Sequence, residues 1–210
     1  MKKKKIIIII VFTISVIIFC INQKMCFLLP DDYSEIKKIG IIDDSLCKNP
    51  CDKVIYEGEI VHDKESHGEN ILNFINSIGY SNTIYYYSAE NGNSISSDSI
   101  ISGLEWMKKN GVKRVNISLS SKNKSDELQD WIENNLDIKV FCSYNNKINT
   151  YDYPAMLEGT ISSGSNSEVN YKTNDVVYKT SNLIVINDGV HQYKGNSYLS
   201  IITMLKYEEK

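Results

Sequence analysis

Three side chains able to carry covalent chemistry stand at places where regular elements should begin or end. Asp43 follows the β-branched run Ile39-Gly40-Ile41-Ile42. His67 and Gly68 open a segment of helical spacing, and Ser197 follows Gly195-Asn196 ahead of the apolar stretch Tyr198 to Leu205. A serine hydroxyl is a poor nucleophile at neutral pH, but a histidine can take its proton. A carboxylate can in turn fix that histidine's tautomer and stabilise its charged form. Acyl transfer is therefore one chemistry open to this trio. The adjacent carboxylates Asp43 and Asp44 admit another, because a divalent cation at a strand end wants neighbouring acidic groups. Each residue also has a plain structural role: Ser197 as a helix N-cap, and Asp43 and Asp44 as turn residues after a strand.

These side chains can meet only if the intervening elements bring them together. The run ending at Ile42 has the composition of a strand buried on both faces of a parallel sheet, over about Ile36 to Ile42. Ile71, Phe74, Ile75 and Ile78 follow helical spacing, and Gly79 is a fitting stop. Strands are predicted within Lys53 to Val61 and over Thr83 to Tyr87, Val112 to Leu119 and Ile138 to Cys142. Helices are predicted over Ser99 to Asn110, with Ile100, Leu104 and Met107 on one face, and over Ser125 to Asn134 with a serine cap. Strand and helix alternating at this pace give right-handed βαβ units and an α/β fold of three layers around a mainly parallel sheet. In such sheets, sites form at the carboxyl ends of the strands. Beyond Asn146 the character changes. Polar loops surround Gly159 to Ser167, strands are predicted at Val176 to Tyr178 and Leu183 to Ile186, and Tyr198 to Leu205 is apolar nearly all round, as in a buried helix.

The chain has 210 residues, and residues 36–210 are read as one domain. Residues 1–21 carry Lys2 to Lys5 and then the apolar run Ile6 to Ile21, the pattern of an export signal or an uncleaved anchor. The lysines place the remainder outside the cytoplasm, in contact with a membrane if the segment stays attached. Residues 22–35 read as a connector. A net charge of −3 and the lack of a later basic run argue against nucleic acid as a partner. With three histidines and no Cys-x-x-Cys, a structural zinc site is not expected. Cys47 and Cys51 could close a small loop disulfide, which their spacing alone does not establish.

The chain order Asp, His, Ser is the subtilisin-type order, and here the sequence resembles the subtilase (subtilisin-like serine peptidase) family. Ile39 to Asp43 resembles its aspartate block, His67-Gly68 its histidine block, and Gly195-Asn196-Ser197-Tyr198 its serine block. Gly103-Leu104-Glu105-Trp106 ahead of Val115-Asn116-Ile117-Ser118-Leu119-Ser120 resembles the family's helix and substrate-binding strand. Val140-Phe141-Cys142 leading to Asn145, then Tyr153-Pro154-Ala155, resembles the block of the oxyanion asparagine. The resemblance runs from about Ile36 to about Met204.

What the resemblance implies is a subtilisin-like fold and a serine endopeptidase in which Asp43, His67 and Ser197 are catalytic. Asn145 supplies the oxyanion amide, with Asn146 as second candidate, and Ser118, Leu119 and Ser120 bind a peptide or protein substrate by strand addition. No cofactor takes part, and a structural calcium is not derivable from these residues. The chain departs from the family pattern at Glu69-Asn70, Ser120, Tyr144, Asn196 and Ile201. A subtilase-like protein that holds a peptide without cutting it therefore stands as the alternative. A receiver-like signalling domain, the remote alternative, requires a phosphoacceptor Asp after the next strand, where the chain has Ser88-Ala89-Glu90. His67 is preferred over His62, which lacks the following glycine and helix. His191 is read as a surface or loop residue, and Tyr85-Tyr86-Tyr87 as sheet.

Overall fold

A computed structural model describes residues 13–15, 26–28, 31–48, 51–61, 66–92, 94–147, 151–165, 171–172, 174–178, 182–186 and 191–208. His62 and, apart from residues 13–15, the expected export segment lie outside the described residues. Among the described residues, no helix is long and apolar enough to cross a membrane.

In chain order the first elements are strands β1 (Cys26–Leu28), β2 (Lys38–Asp43) and β3 (Val54–Glu57), helix α1 (His67–Ser77) and β4 (Thr83–Ser88). A short hairpin, β5 (Glu90–Asn91) and β6 (Ser94–Ile95), precedes α2 (Ser97–Lys109), β7 (Arg114–Ile117), α3 (Asp126–Glu133) and β8 (Lys139–Ser143). Then come β9 (Thr160–Gly164), β10 (Val176–Val177), β11 (Leu183–Ile186), β12 (His191–Lys194) and α4 (Asn196–Lys206). Seven strands form one sheet in the order β10-β9-β8-β7-β2-β4-β3. Every pairing in it is parallel. β2 is an interior strand between β7 and β4, and pairs with β4 from Lys38↔Thr83 to Asp43↔Ser88.

Alternation along β2 divides the core. Ile39 and Ile41 pack with Ile71, Phe74, Leu199 and Ile201 of α1 and α4. Ile42 joins Leu104, Met107, Leu128 and Ile132 of α2 and α3 on the opposite face. Helices therefore cover both faces of a parallel sheet, the three-layer α/β arrangement expected. Gly40 sets the spacing on the second face, since a Cβ there would lie 2.7 Å from the Met107 sulfur.

Several elements depart from expectation. Polar loop was expected at 159–167, yet β9 runs through Thr160–Gly164 with Ser162 and Ser163 fully buried. Burial is tolerable because both hydroxyls are paired: Ser162 donates to the Ala155 carbonyl at 2.9 Å, and Ser163 lies 2.7 Å from the Thr203 hydroxyl. The expected connector contains β1, which pairs in parallel with β11; β11 pairs antiparallel with β12. The strand expected to reach Leu119 stops at Ile117, so Ser118 to Ser120 leave the sheet at its carboxyl end.

Candidate active site

The first polar residue after Ile42 is Asp43, the last residue of β2 and fully buried. His67 is the first residue of α1, and its Nδ1 lies 2.8 and 3.0 Å from the two Asp43 carboxylate oxygens. Ser197 is the second residue of α4, with its Oγ 3.2 Å from His67 Nε2. A carboxylate against Nδ1 makes that nitrogen the donor, which leaves Nε2 to accept the serine proton. Burial lowers the His67 pKa, but the Asp43 hydrogen bond and the charges of Asp43 and Asp44 outweigh it and raise the net value. The imidazole is 39% exposed, so one side of the ring faces the outside.

Asp44 has a role that sequence reasoning missed. Its two oxygens accept the backbone N–H groups of His67 (2.9 Å) and Gly68 (2.8 Å), anchoring the start of α1 beside the end of β2. Asp43 and Asp44 thus serve different partners, the one the His67 imidazole and the other the backbone at the start of α1. Burial raises the Asp44 pKa, and the Asp43 charge raises it further. The Tyr86 hydroxyl donates to the Asp44 carbonyl at 2.6 Å, and a Cβ at position 68 would lie 1.6 Å from that hydroxyl oxygen. Gly68→Ala is therefore expected to destabilise the protein by about 1–3 kcal/mol through overpacking. Urea unfolding checks this, and adding Tyr86→Phe, which removes the clashing oxygen, should recover part of the loss.

At the start of α4, the N-cap is Gly195, at φ 150°, and it makes no side-chain cap. No N-cap oxygen therefore covers the N–H groups of the first turn, a favourable place for developing negative charge. Asn196 explains how this helix start is held. Its Nδ2 donates to the carbonyls of Tyr144 (3.1 Å) and Asn145 (3.0 Å), and its backbone N–H donates to Asn146 Oδ1 at 2.7 Å. The loop after β8 is thus tied to the residue preceding Ser197.

The two asparagines of that loop divide their contacts. Asn145 Nδ2 donates to the Ser120 hydroxyl at 2.9 Å, while its Oδ1 accepts the Lys147 N–H at 3.0 Å. Asn146 Oδ1 accepts from Asn196 and from Asn182 Nδ2 at 3.0 Å. Of the expected substrate-binding residues, Leu119 is half-buried and Ser120 exposed, whereas the Ser118 side chain points into the core. Ser118 donates to Asn116 Oδ1 at 2.6 Å, Asn116 Nδ2 donates to Ser200 Oγ at 2.7 Å, and Ser200 donates to the Ser197 carbonyl at 2.8 Å. That buried chain joins the end of β7 to the first turn of α4.

The remaining candidates lie where their surroundings put them. His191 is exposed on β12, and Tyr86 is buried in β4 with its ring stacked on Tyr56. Cys47 and Cys51 are thiols rather than a disulfide, and the Cys47 thiol donates to Glu69 Oε2.

No protein-family model and no curated protein sequence matches the chain. Solved structures do match. The self-cleaved protease domain of PatA aligns with a TM-score of 0.57 at 14% identity, over 83% of this chain and 78% of that one. The prenylagaramide maturation protease PagA aligns at 0.53 and 14% identity, over 80% and 73%. A cold-adapted subtilisin-like serine proteinase aligns at 0.56 and 16% identity, over 78% and 70%. At such identities the likeness is one of fold: this chain has the α/β fold of subtilisin-like proteases.

Proposed function

We propose that the chain is a serine endopeptidase working through Asp43, His67 and Ser197. The observation that carries this reading is the unbroken hydrogen-bonded run from the buried Asp43 carboxylate through His67 to the Ser197 hydroxyl. His67 takes the Ser197 proton as Oγ attacks a peptide carbonyl, then gives it to the leaving amine. Asp43 holds the tautomer and stabilises the imidazolium. The substrate is an extended peptide laid along the backbone of Leu119 and Ser120. The lysine-led apolar N-terminus supports action outside the cytoplasm, at the membrane if that segment is retained.

The tetrahedral oxygen meets the Ser197 backbone N–H and the Asn145 amide. Asn145 is chosen over Asn146 because its bond from Nδ2 goes to an exposed hydroxyl and can be exchanged, whereas the Asn146 carbonyl is committed to the helix start. Asn145→Ala should lower kcat roughly 100- to 1000-fold with little change in KM, since the contact forms only in the transition state. Asn146→Ala should act mainly on stability. Steady-state kinetics and thermal melts of the two variants separate these roles, and the reverse pattern would assign the amide to Asn146.

The test of the function is covalent labelling by a fluorophosphonate probe, with Ser197→Ala in parallel. Labelling of the wild type and not of the variant is expected. A folded wild type that fails to label, or equal labelling of both, would sink the hydrolase reading and favour a protein that binds peptide without cutting it.

A further inference from the structure

Asp152 is a buried carboxylate for which catalysis has no use. It is 4% exposed and belongs to a segment fixed between two others. On one side Tyr153 exchanges both backbone hydrogen bonds with Ser121, at 2.7 and 2.8 Å, which sets residues 152–153 beside the end of the Ser118–Ser120 loop. On the other side Asp152 Oδ2 accepts the Asn145 N–H. The Asn145 side chain closes the arrangement by donating to Ser120. Asp152 therefore lies where the loop after β7 meets the loop after β8.

Its second oxygen is the informative atom. Asp152 Oδ1 is buried without a hydrogen-bond partner, and among the described residues Asp152 makes no ion pair. Burial raises its pKa, against the Asn145 N–H and the Ser120 hydroxyl, and no cation contributes. Leaving a buried acceptor unmet is costly, and more so when it is charged. A buried acceptor left open in this way calls for a partner, and among the described residues none supplies it.

The inference rests on the hydrolase reading, which says where that ligand comes from. A peptide laid along Leu119 and Ser120, with its carbonyl at Ser197 and Asn145, projects the side chain of the attacked residue roughly perpendicular to its backbone. With the peptide so laid, the junction of the same two loops, where Asp152 sits, is the place for that side chain. We propose that Asp152 determines specificity by pairing with a lysine or arginine side chain on the residue whose carbonyl is attacked. A lysine brings three N–H donors and an arginine a planar fork of five, either of which satisfies the open oxygen. A leucine would bury the carboxylate further without a partner, and a glutamate would add like charge.

The test uses quenched fluorescent peptides that differ only at that residue: Lys, Arg, Gln, Leu or Glu. Wild-type kcat/KM should be about 100-fold higher for Lys and Arg than for Gln or Leu. Asp152→Asn keeps an acceptor for the Asn145 N–H. It should lose about 100-fold on the basic substrates and much less on Gln and Leu, so that the Lys-to-Leu ratio of kcat/KM collapses, while fluorophosphonate labelling persists and reports an intact nucleophile. Should the variant fail to fold, the wild type decides: a peptide aldehyde ending in arginine should protect against labelling at about 100-fold lower concentration than one ending in leucine. A wild type that labels but cleaves Leu as readily as Lys, or is protected equally by both aldehydes, overturns the specificity role and leaves the hydrolase standing. A folded wild type that does not label overturns both.

Discussion

Alanine at position 197 is expected to lower kcat by on the order of 10⁶-fold while leaving the fold intact. The side chain lost is small and lies at a helix start whose N-cap makes no side-chain bond. The first turn of α4 remains held through Asn196, its contacts to Tyr144, Asn145 and Asn146, and the bond from Ser200 to the 197 carbonyl. What disappears is the nucleophile, and with it the use of His67 as its base. Adding His67→Ala should therefore cost almost nothing further, because the members of such a unit are not additive. Residual peptide hydrolysis above the uncatalysed rate should persist in both variants, from binding and oxyanion stabilisation. Kinetics of the single and double variants on one peptide check this. A double variant much slower than Ser197→Ala would mean that His67 acts on something other than Ser197.

Asp43→Asn should lower kcat by about 10⁴-fold with an unchanged melting temperature to first order, because it preserves shape and removes the charge that selects the tautomer. An amide can donate to Nδ1, which turns Nε2 into the N–H bearer and takes away the acceptor that Ser197 needs. The same substitution should shift the pH profile. In the wild type, burial depresses the His67 pKa, but the Asp43 bond and the carboxylate charges override it, so the net value lies above the ordinary histidine range. Only neutral His67 can act as base. The acid limb of kcat/KM should thus have its midpoint above about 6.5, with activity rising as pH increases through it. Without the Asp43 charge, burial is left as the largest influence, and the limb should move to lower pH. Profiles from pH 5 to 9 provide the check. A wild-type midpoint below the ordinary histidine value, unmoved by Asp43→Asn, would uncouple the two residues.

Much of the framework can be read along the chain because it depends on local periodicity. The β-branched run Ile39 to Ile42, the helical spacing of Ile71, Phe74, Ile75 and Ile78, and the capping serine Ser125 each state their element without help from distant residues. Alternation of such elements implies a parallel sheet, and a parallel sheet implies a site at its carboxyl edge. Asp43, His67 and Ser197 each sit at such a boundary, so residue type and position along the chain were enough to nominate them. β9 escaped because Thr160-Ile161-Ser162-Ser163-Gly164 looks solvated on composition. Its serines are buried only because Ala155 and Thr203 offer partners.

Sequence order by itself determined the architecture and the three elements that carry the Asp, His and Ser. Tertiary structure alone decided how the polar groups around them are shared. Asp44 became the anchor of α1 because the end of β2 lies beside that helix start, and Asn146 became the acceptor for Asn196, 50 residues on. Asp152 kept an open oxygen because two loops close around it. Hydrophobic periodicity is written within one element, whereas hydrogen-bond satisfaction depends on angles and distances between groups far apart in the chain. Such pairings exist only once the chain has packed.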